Sequence, residues 1–98
     1  MAEVRWTSQA TSDLEAIADF IAQDSPHFAT LFVLDVLAVV ERLESFPQSG
    51  RVVPEKSDLQ IREILLGNYR IIYRVRENVV DVLTVHHGAR LIDPTRLG

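Results

Sequence analysis

The sequence has no cysteine, which removes disulfides, thiol nucleophiles and cysteine-bound metals, and leaves an intracellular home open. It has a single lysine, Lys56, and a formal net charge of −4 with a pI near 5.2. Proteins that grip a nucleic-acid backbone usually carry a basic surplus, so direct nucleic-acid binding by the free chain is not expected. No apolar run reaches membrane-spanning length, and Met1-Ala2-Glu3-Val4-Arg5-Trp6 has no apolar signal core. A cytoplasmic protein away from the membrane is expected. Repeats, low-complexity stretches and phosphate-cradling glycine patterns are missing as well.

What is present suits one small domain over residues 1–98, and 47% hydrophobic content is ample for a single core. Charge is uneven along the chain. Residues 1–60 hold ten acids and four bases, whereas residues 61–98 hold four acids and six bases, all arginine.

The second half reads as a β-meander. Gly67-Asn68 is a two-residue turn between the runs Arg62–Leu66 and Tyr69–Val75, and Glu77-Asn78 leads into Val79–Val85. Leu66 opposite Tyr69 sets Ile64 against Ile71 and Glu63 against Ile72. Arg76 opposite Val79 sets Arg74 against Asp81, Ile72 against Leu83 and Arg70 against Val85. Alternation then places Ile64, Leu66, Tyr69, Ile71, Tyr73, Val75, Val80 and Val82 on a core face. The other face carries Glu63, Arg70, Arg74, Arg76, Asp81 and His87 over a floor of Ile61, Leu65, Ile72, Leu83 and Val85. Five aliphatic residues among charges suggest an open surface meant for a partner.

The first half reads as a short strand and two helices. Val4–Trp6 is the strand. Thr7 offers an N-cap hydroxyl for an amphipathic helix over roughly Ser8 to Gln23, with Ala10, Leu14, Ile17 and Ile21 at helical spacing. Asp24-Ser25-Pro26 resets the chain, with Ser25 as cap and Pro26 at the first helical position. The second helix should run from about Pro26 to Ser45, and its apolar residues wrap more than one stripe. The fold class is therefore α+β, ordered β-α-α-β-β-β, with a helical hairpin on one face of a small antiparallel sheet.

At this point the residues resemble a known family. Asp13-Leu14-Glu15-Ala16-Ile17-Ala18-Asp19-Phe20-Ile21, Val40-Glu41-Arg42-Leu43-Glu44-Ser45-Phe46-Pro47 and Ser49-Gly50-Arg51 are similar to segments of the ParE branch of the ParE/RelE toxin superfamily. So are Ile61-Arg62-Glu63-Ile64, Tyr69-Arg70-Ile71-Ile72-Tyr73-Arg74-Val75 and His86-His87-Gly88-Ala89-Arg90, in the right order from Val4 to about Arg90. The resemblance implies the RelE/ParE-like fold and the toxin of a bacterial type II toxin–antitoxin pair, neutralised by a cognate ParD-like antitoxin. Higher-order toxin–antitoxin assembly is compatible with it. Characterised ParE-like members poison DNA gyrase, whereas RelE-like members cut messenger RNA on the ribosome, and one scaffold hosts both activities.

Metal-free RNA cleavage needs a base, a cation for the developing phosphate charge and an acid. Arg70 matches the arginine of the superfamily's Tyr-Arg-aliphatic-aliphatic-Tyr strand, with His87 on its expected face and Glu63 one strand away. Those three form the candidate catalytic set if the chain is a ribonuclease. The structural alternative makes Glu63, Arg70, Arg74 and Asp81 ordinary cross-strand ion pairs. His86 and His87 alternate in direction and cannot bind one metal from one strand, so neither metal nor cofactor is expected. The acidic balance favours a binding inhibitor over a ribosome-dependent mRNA endoribonuclease. The expected antitoxin surface is Ile61, Leu65, Arg70, Ile72, Arg74, Leu83 and Val85, and the expected target contacts are Arg90 and Arg96.

Overall fold

A computed structural model describes residues 1–88, 90 and 92–97, with the side chain of Arg96 outside the description. Strand β1 (Glu3–Trp6) is followed by helices α1 (Ser8–Asp24) and α2 (Pro26–Arg42). Then come β2 (Arg51–Val52), β3 (Ile61–Leu66), β4 (Tyr69–Arg76) and β5 (Val79–His87), and the chain closes on a 3₁₀ turn at Pro94–Leu97. The sheet order is β1-β5-β4-β3-β2. Because β1 lies parallel to β5 while the other pairs are antiparallel, the sheet is mixed. The purely antiparallel expectation is corrected by that edge strand and by the addition of β2.

The caps do what their residue types suggest. Thr7 Oγ1 accepts from the Ala10 N–H at 3.1 Å and donates to the Val82 carbonyl at 2.8 Å, fixing the start of α1 to β5. Ser25 Oγ accepts from the Phe28 N–H at 3.2 Å, with Pro26 at the first position of α2. Helix α2 ends at Arg42, three residues short of the expected Ser45, where the chain passes into turns. Gly67 takes φ 56°, as the tight β3–β4 turn requires.

The helical hairpin packs its inner side on Ile71, Val82 and Val85 through Ala10, Val36, Val39 and Val40. A neighbouring cluster joins Ala2, Leu43, Tyr73 and Val80. The β3–β4 register is the expected one, Glu63 facing Ile72 and Leu66 facing Tyr69. Between β4 and β5 the register holds from Arg76/Val79 to Tyr73/Val82 and then slips, so that Ile72 faces Thr84 and Arg70 faces His86. Leu83 is the extra residue of a β-bulge. One inserted residue reverses the parity of all that follows. Val85 and His87, expected on the Arg70 face, therefore belong to the helix side.

The expected open face is closed. Val53 from the β2–β3 connector and Ile92 and Leu97 from the C-terminal segment cover Ile61, Ile72 and Leu83. Ile61 and Ile72 have no exposed surface.

Candidate functional site

Arg70 lies near the start of β4, on the covered side of the sheet and beside the β3 residue Glu63. Its Nε donates to Glu63 Oε1 at 2.5 Å. Its Nη1 and Nη2 form a two-pronged pair with the carboxylate of Glu55, at 2.6 and 2.7 Å. Both partners are nearly out of water, Arg70 7% and Glu63 1% exposed. The second oxygen of Glu63 takes Arg51 Nε at 2.7 Å across the β2–β3 pairing. The cluster therefore alternates Glu55, Arg70, Glu63 and Arg51, two charges of each sign. Its members satisfy one another.

The electrostatics follow from that geometry. The hydrogen bonds from Arg70 hold the Glu55 carboxyl down at about 2, helped by the backbone N–H of Ile92. Glu55 in turn raises the Arg70 guanidinium above its ordinary value, with Glu63 adding to the effect. Glu55 thus links connector, C-terminal segment and sheet. Arg74 donates from Nη2 to the Leu97 carbonyl at 2.8 Å, a second tie between sheet and C-terminal segment. Arg74 faces Asp81 across β4 and β5, as expected, and Arg76 forms an ion pair with Asp81 at 3.7 Å.

An open cleft of about 520 Å³ lies beside the cluster, lined by Arg51, Glu55, Leu65, Tyr69, Arg70 and His87 among others. His87 reaches it from the helix side, where its ring meets Tyr69 edge-on at 5.2 Å, and Tyr69 leans on Phe32 of α2 at 4.9 Å. The three residues considered for RNA cleavage thus line up differently from expectation. Glu63 and Arg70 share a buried ion pair, and the bulge turns His87 to the other side of β5.

The remaining expected positions separate by burial. Leu65 is 54% exposed, while Arg74 and Leu83 are half-buried. Ile61, Ile72 and Val85 are buried within the molecule, so as packed here they offer no direct contact surface. Arg90 is exposed, its carbonyl accepting from His86 Nε2 at 3.0 Å. The side chain of Arg96 lies outside the described residues. Sequence reasoning missed Glu55 and Arg51 as members of the cluster. Arg51 carried a weak signal, its place in the Ser49-Gly50-Arg51 segment, and Glu55 carried none. Among the described residues, no group of three or more histidine, aspartate or glutamate side chains is arranged to hold a metal ion. Among the described residues, no helix is long and apolar enough to cross a membrane.

Gly50, just before β2, explains part of that segment. A Cβ there would come within 2.6 Å of the Glu63 carbonyl oxygen and of the Tyr73 hydroxyl. The Gly50 N–H donates to that hydroxyl at 2.9 Å, and burial pushes the Tyr73 phenol above its ordinary value.

This arrangement of two helices on a five-stranded sheet has known counterparts. The family model described as ParE toxin of type II toxin–antitoxin system, parDE, matches residues 4–92. Toxin RelE2 of Caulobacter vibrioides is 35% identical over 92 residues, 93% of this chain and 100% of that protein. Among solved structures, the chromosomal ParDE system from P. aeruginosa shares the fold with a TM-score of 0.73. That match covers 89% of this chain and 96% of the other at 24% identity. The RelBE2 toxin–antitoxin complex from Mycobacterium tuberculosis shares it with a TM-score of 0.58, over 88% and 96% of the two chains at 22% identity. With the family pattern running from the first strand to the C-terminal segment, the chain belongs to the ParE family of type II toxin–antitoxin toxins, within the ParE/RelE superfamily.

Proposed function

We propose that this toxin acts by binding a large target, DNA gyrase, rather than by cutting RNA, and that a ParD-like antitoxin neutralises it. The observation that carries this reading is the state of Arg70. A cation that stabilises charge on a scissile phosphate must present donors to it. Here each guanidinium nitrogen of Arg70 already donates to Glu55 or Glu63, and the two carboxylates neutralise its charge inside the protein. The acidic net charge of −4 points the same way, since it repels a polyanionic substrate. Gyrase as the target rests on the resemblance to ParE. Arg90, exposed beyond β5, is the candidate contact, with Arg96 as its expected companion. For the antitoxin, Leu65 and the cleft beside it are the accessible part of the expected surface.

The test pairs two assays on the folded chain. Supercoiling of relaxed plasmid by gyrase and ATP should be inhibited, and less so by Arg90→Ala. Messenger RNA on translating ribosomes should stay intact. Normal supercoiling at a large excess of toxin would remove the gyrase reading. Ribosome-dependent cuts that vanish in Arg70→Ala and His87→Ala would replace it with the ribonuclease.

A further inference from the structure

Glu55 reaches Arg70 from a loop that bonds largely to itself. The Val53 N–H donates to the Ile61 carbonyl at 3.2 Å and closes the neck of the loop. Within it the Lys56 N–H returns to the Val53 carbonyl at 3.2 Å, and the Ile61 N–H to the Asp58 carbonyl at 3.1 Å. Pro54, Ser57, Leu59 and Gln60 are exposed. Residues 54–60 are thus a small closed loop on the sheet, and the Glu55 side chain is its charged tie. That carboxylate occupies the Nη1–Nη2 edge of the Arg70 guanidinium, while the fully buried Glu63 takes Nε. An arginine fork receives carboxylate and phosphate oxygens in the same two-pronged geometry. Glu55 also forms part of the wall of the 520 Å³ cleft, with Arg51, Asn68 and His87 lining the same space.

The charges of the cluster favour an anion once Glu55 withdraws, because Arg70 and Arg51 then outnumber Glu63 two to one. Acid does not free the loop near neutrality, since Glu55 stays ionised down to about 2. Only a competing anion can. We propose that the 54–60 loop is an autoinhibitory strap whose Glu55 carboxylate plugs an oxyanion site on Arg70, and that the site takes a dianionic terminal phosphate, free or as a monoester. A phosphodiester carries one charge over two free oxygens, no more than the carboxylate it would displace, and the chain holds Glu55 close at hand. A dianion brings a second charge and a third oxygen, within a cleft that the mostly exposed Arg51 also lines. The proposal rests on the reading of Arg70 as neutralised inside the protein. Phosphate binding is measured without gyrase or ribosomes, so it and the gyrase reading fail separately.

The experiment titrates the full chain with inorganic phosphate, glycerol phosphate as a monoester and dimethyl phosphate as a diester. It is run at about pH 8, above the second ionisation of a monoester at about 6. Arginine side-chain NMR resonances report both affinity and place. In the parent the ligand meets only the fraction of molecules with the strap open, and its apparent affinity falls by that fraction. Glu55→Ala should therefore bind inorganic phosphate and the monoester about tenfold tighter or more, with the Arg70 resonances moving. Dimethyl phosphate should gain less. Glu55→Gln, which keeps the shape of the loop, should gain in the same direction. Asp58→Asn removes the same charge from the same loop and should gain nothing. Arg70→Lys added to Glu55→Ala keeps the charge, loses the fork and should remove most of the gain. Thermal melting checks the folding of each variant. No gain in a folded Glu55 variant, an equal gain in Asp58→Asn, or a gain that survives Arg70→Lys would overturn the proposal. So would tighter binding of the diester, or shifts that spare Arg70. Loss of the fold in both Glu55 variants would overturn it too, by making Glu55 an anchor that cannot withdraw.

Discussion

The two faces of the sheet are closed by different kinds of chain. On one, α1 and α2 lay whole apolar arcs over Ile71, Val82 and Val85, and the polar ties are side-chain ones, Thr84 Oγ1 donating to Asp13 Oδ2 and Thr7 Oγ1 to the Val82 carbonyl. On the other, irregular chain brings Val53, Ile92 and Leu97 over Ile61, Ile72 and Leu83. A helix satisfies its own backbone groups, but irregular chain laid on a sheet must find partners for its N–H and C=O groups. That difference accounts for the charges. Arg74 holds the Leu97 carbonyl, the Ile92 N–H favours the Glu55 carboxylate, and Arg70 holds Glu55. The arginine that a sequence pattern marks as chemical is, in this fold, the anchor of a cover.

The sharpest way to break the comparison is Arg70→Met. It leaves Glu63 and Glu55 without their main counter-charge, and urea unfolding should lose about 3–5 kcal/mol. A loss below about 1 kcal/mol would mean that the cluster is not the anchor of the covered face. Next comes a matched pair on adjacent residues of β4, both fully buried. Ile71→Ala, under the helices, should cost about 3–4 kcal/mol and Ile72→Ala, under irregular chain, about 2–3, because the looser cover can settle into the space. Equal costs would show that the far cover packs as firmly as the helices.

Tyr73→Phe probes the link between the two regions. It strands the buried Gly50 N–H at the start of β2, and should cost about 1–2 kcal/mol by thermal or urea melts.

The smallest expected effect is pH dependence on the covered side. Glu55 is depressed from 4.5 to about 2 in the folded state, so its contribution is fully present above pH 4.5. It is lost as pH falls through about 2. Stability of the parent should therefore decline more steeply across that window than stability of Glu55→Gln. Parallel curves would show that Glu55 adds nothing to the cover.

Much of the architecture was legible because its signals are local. Thr7 and the pair Ser25-Pro26 start the two helices where their side chains cap, and the β3–β4 register follows from the two residues of one turn. The β4–β5 register was legible only as far as Val82. Leu83 looks like any other aliphatic residue of a β-branched run, and nothing around it marks an insertion. A reading that assumes strict alternation must then put Val85 and His87 on the wrong side. The five aliphatic residues were read as an open floor, yet only Leu65 stays mostly exposed; what Ile61, Ile72 and Leu83 receive comes from elsewhere in the same chain.

By itself the sequence determined the element order, the helix starts, the first hairpin register and the family, because caps, turns and periodicity act within a few residues. Tertiary structure alone decided the side to which β5 turns after its bulge, what lies over Ile72, and which carboxylates neutralise Arg70. Those contacts join residues far apart in the chain, such as Glu55 with Arg70, or gather them into one cluster, as with Val53, Ile72 and Leu97. They depend on the path the chain takes between such residues. Residue type tells that Arg70 needs a counter-charge; only the folded path says that Glu55 and Glu63 supply it.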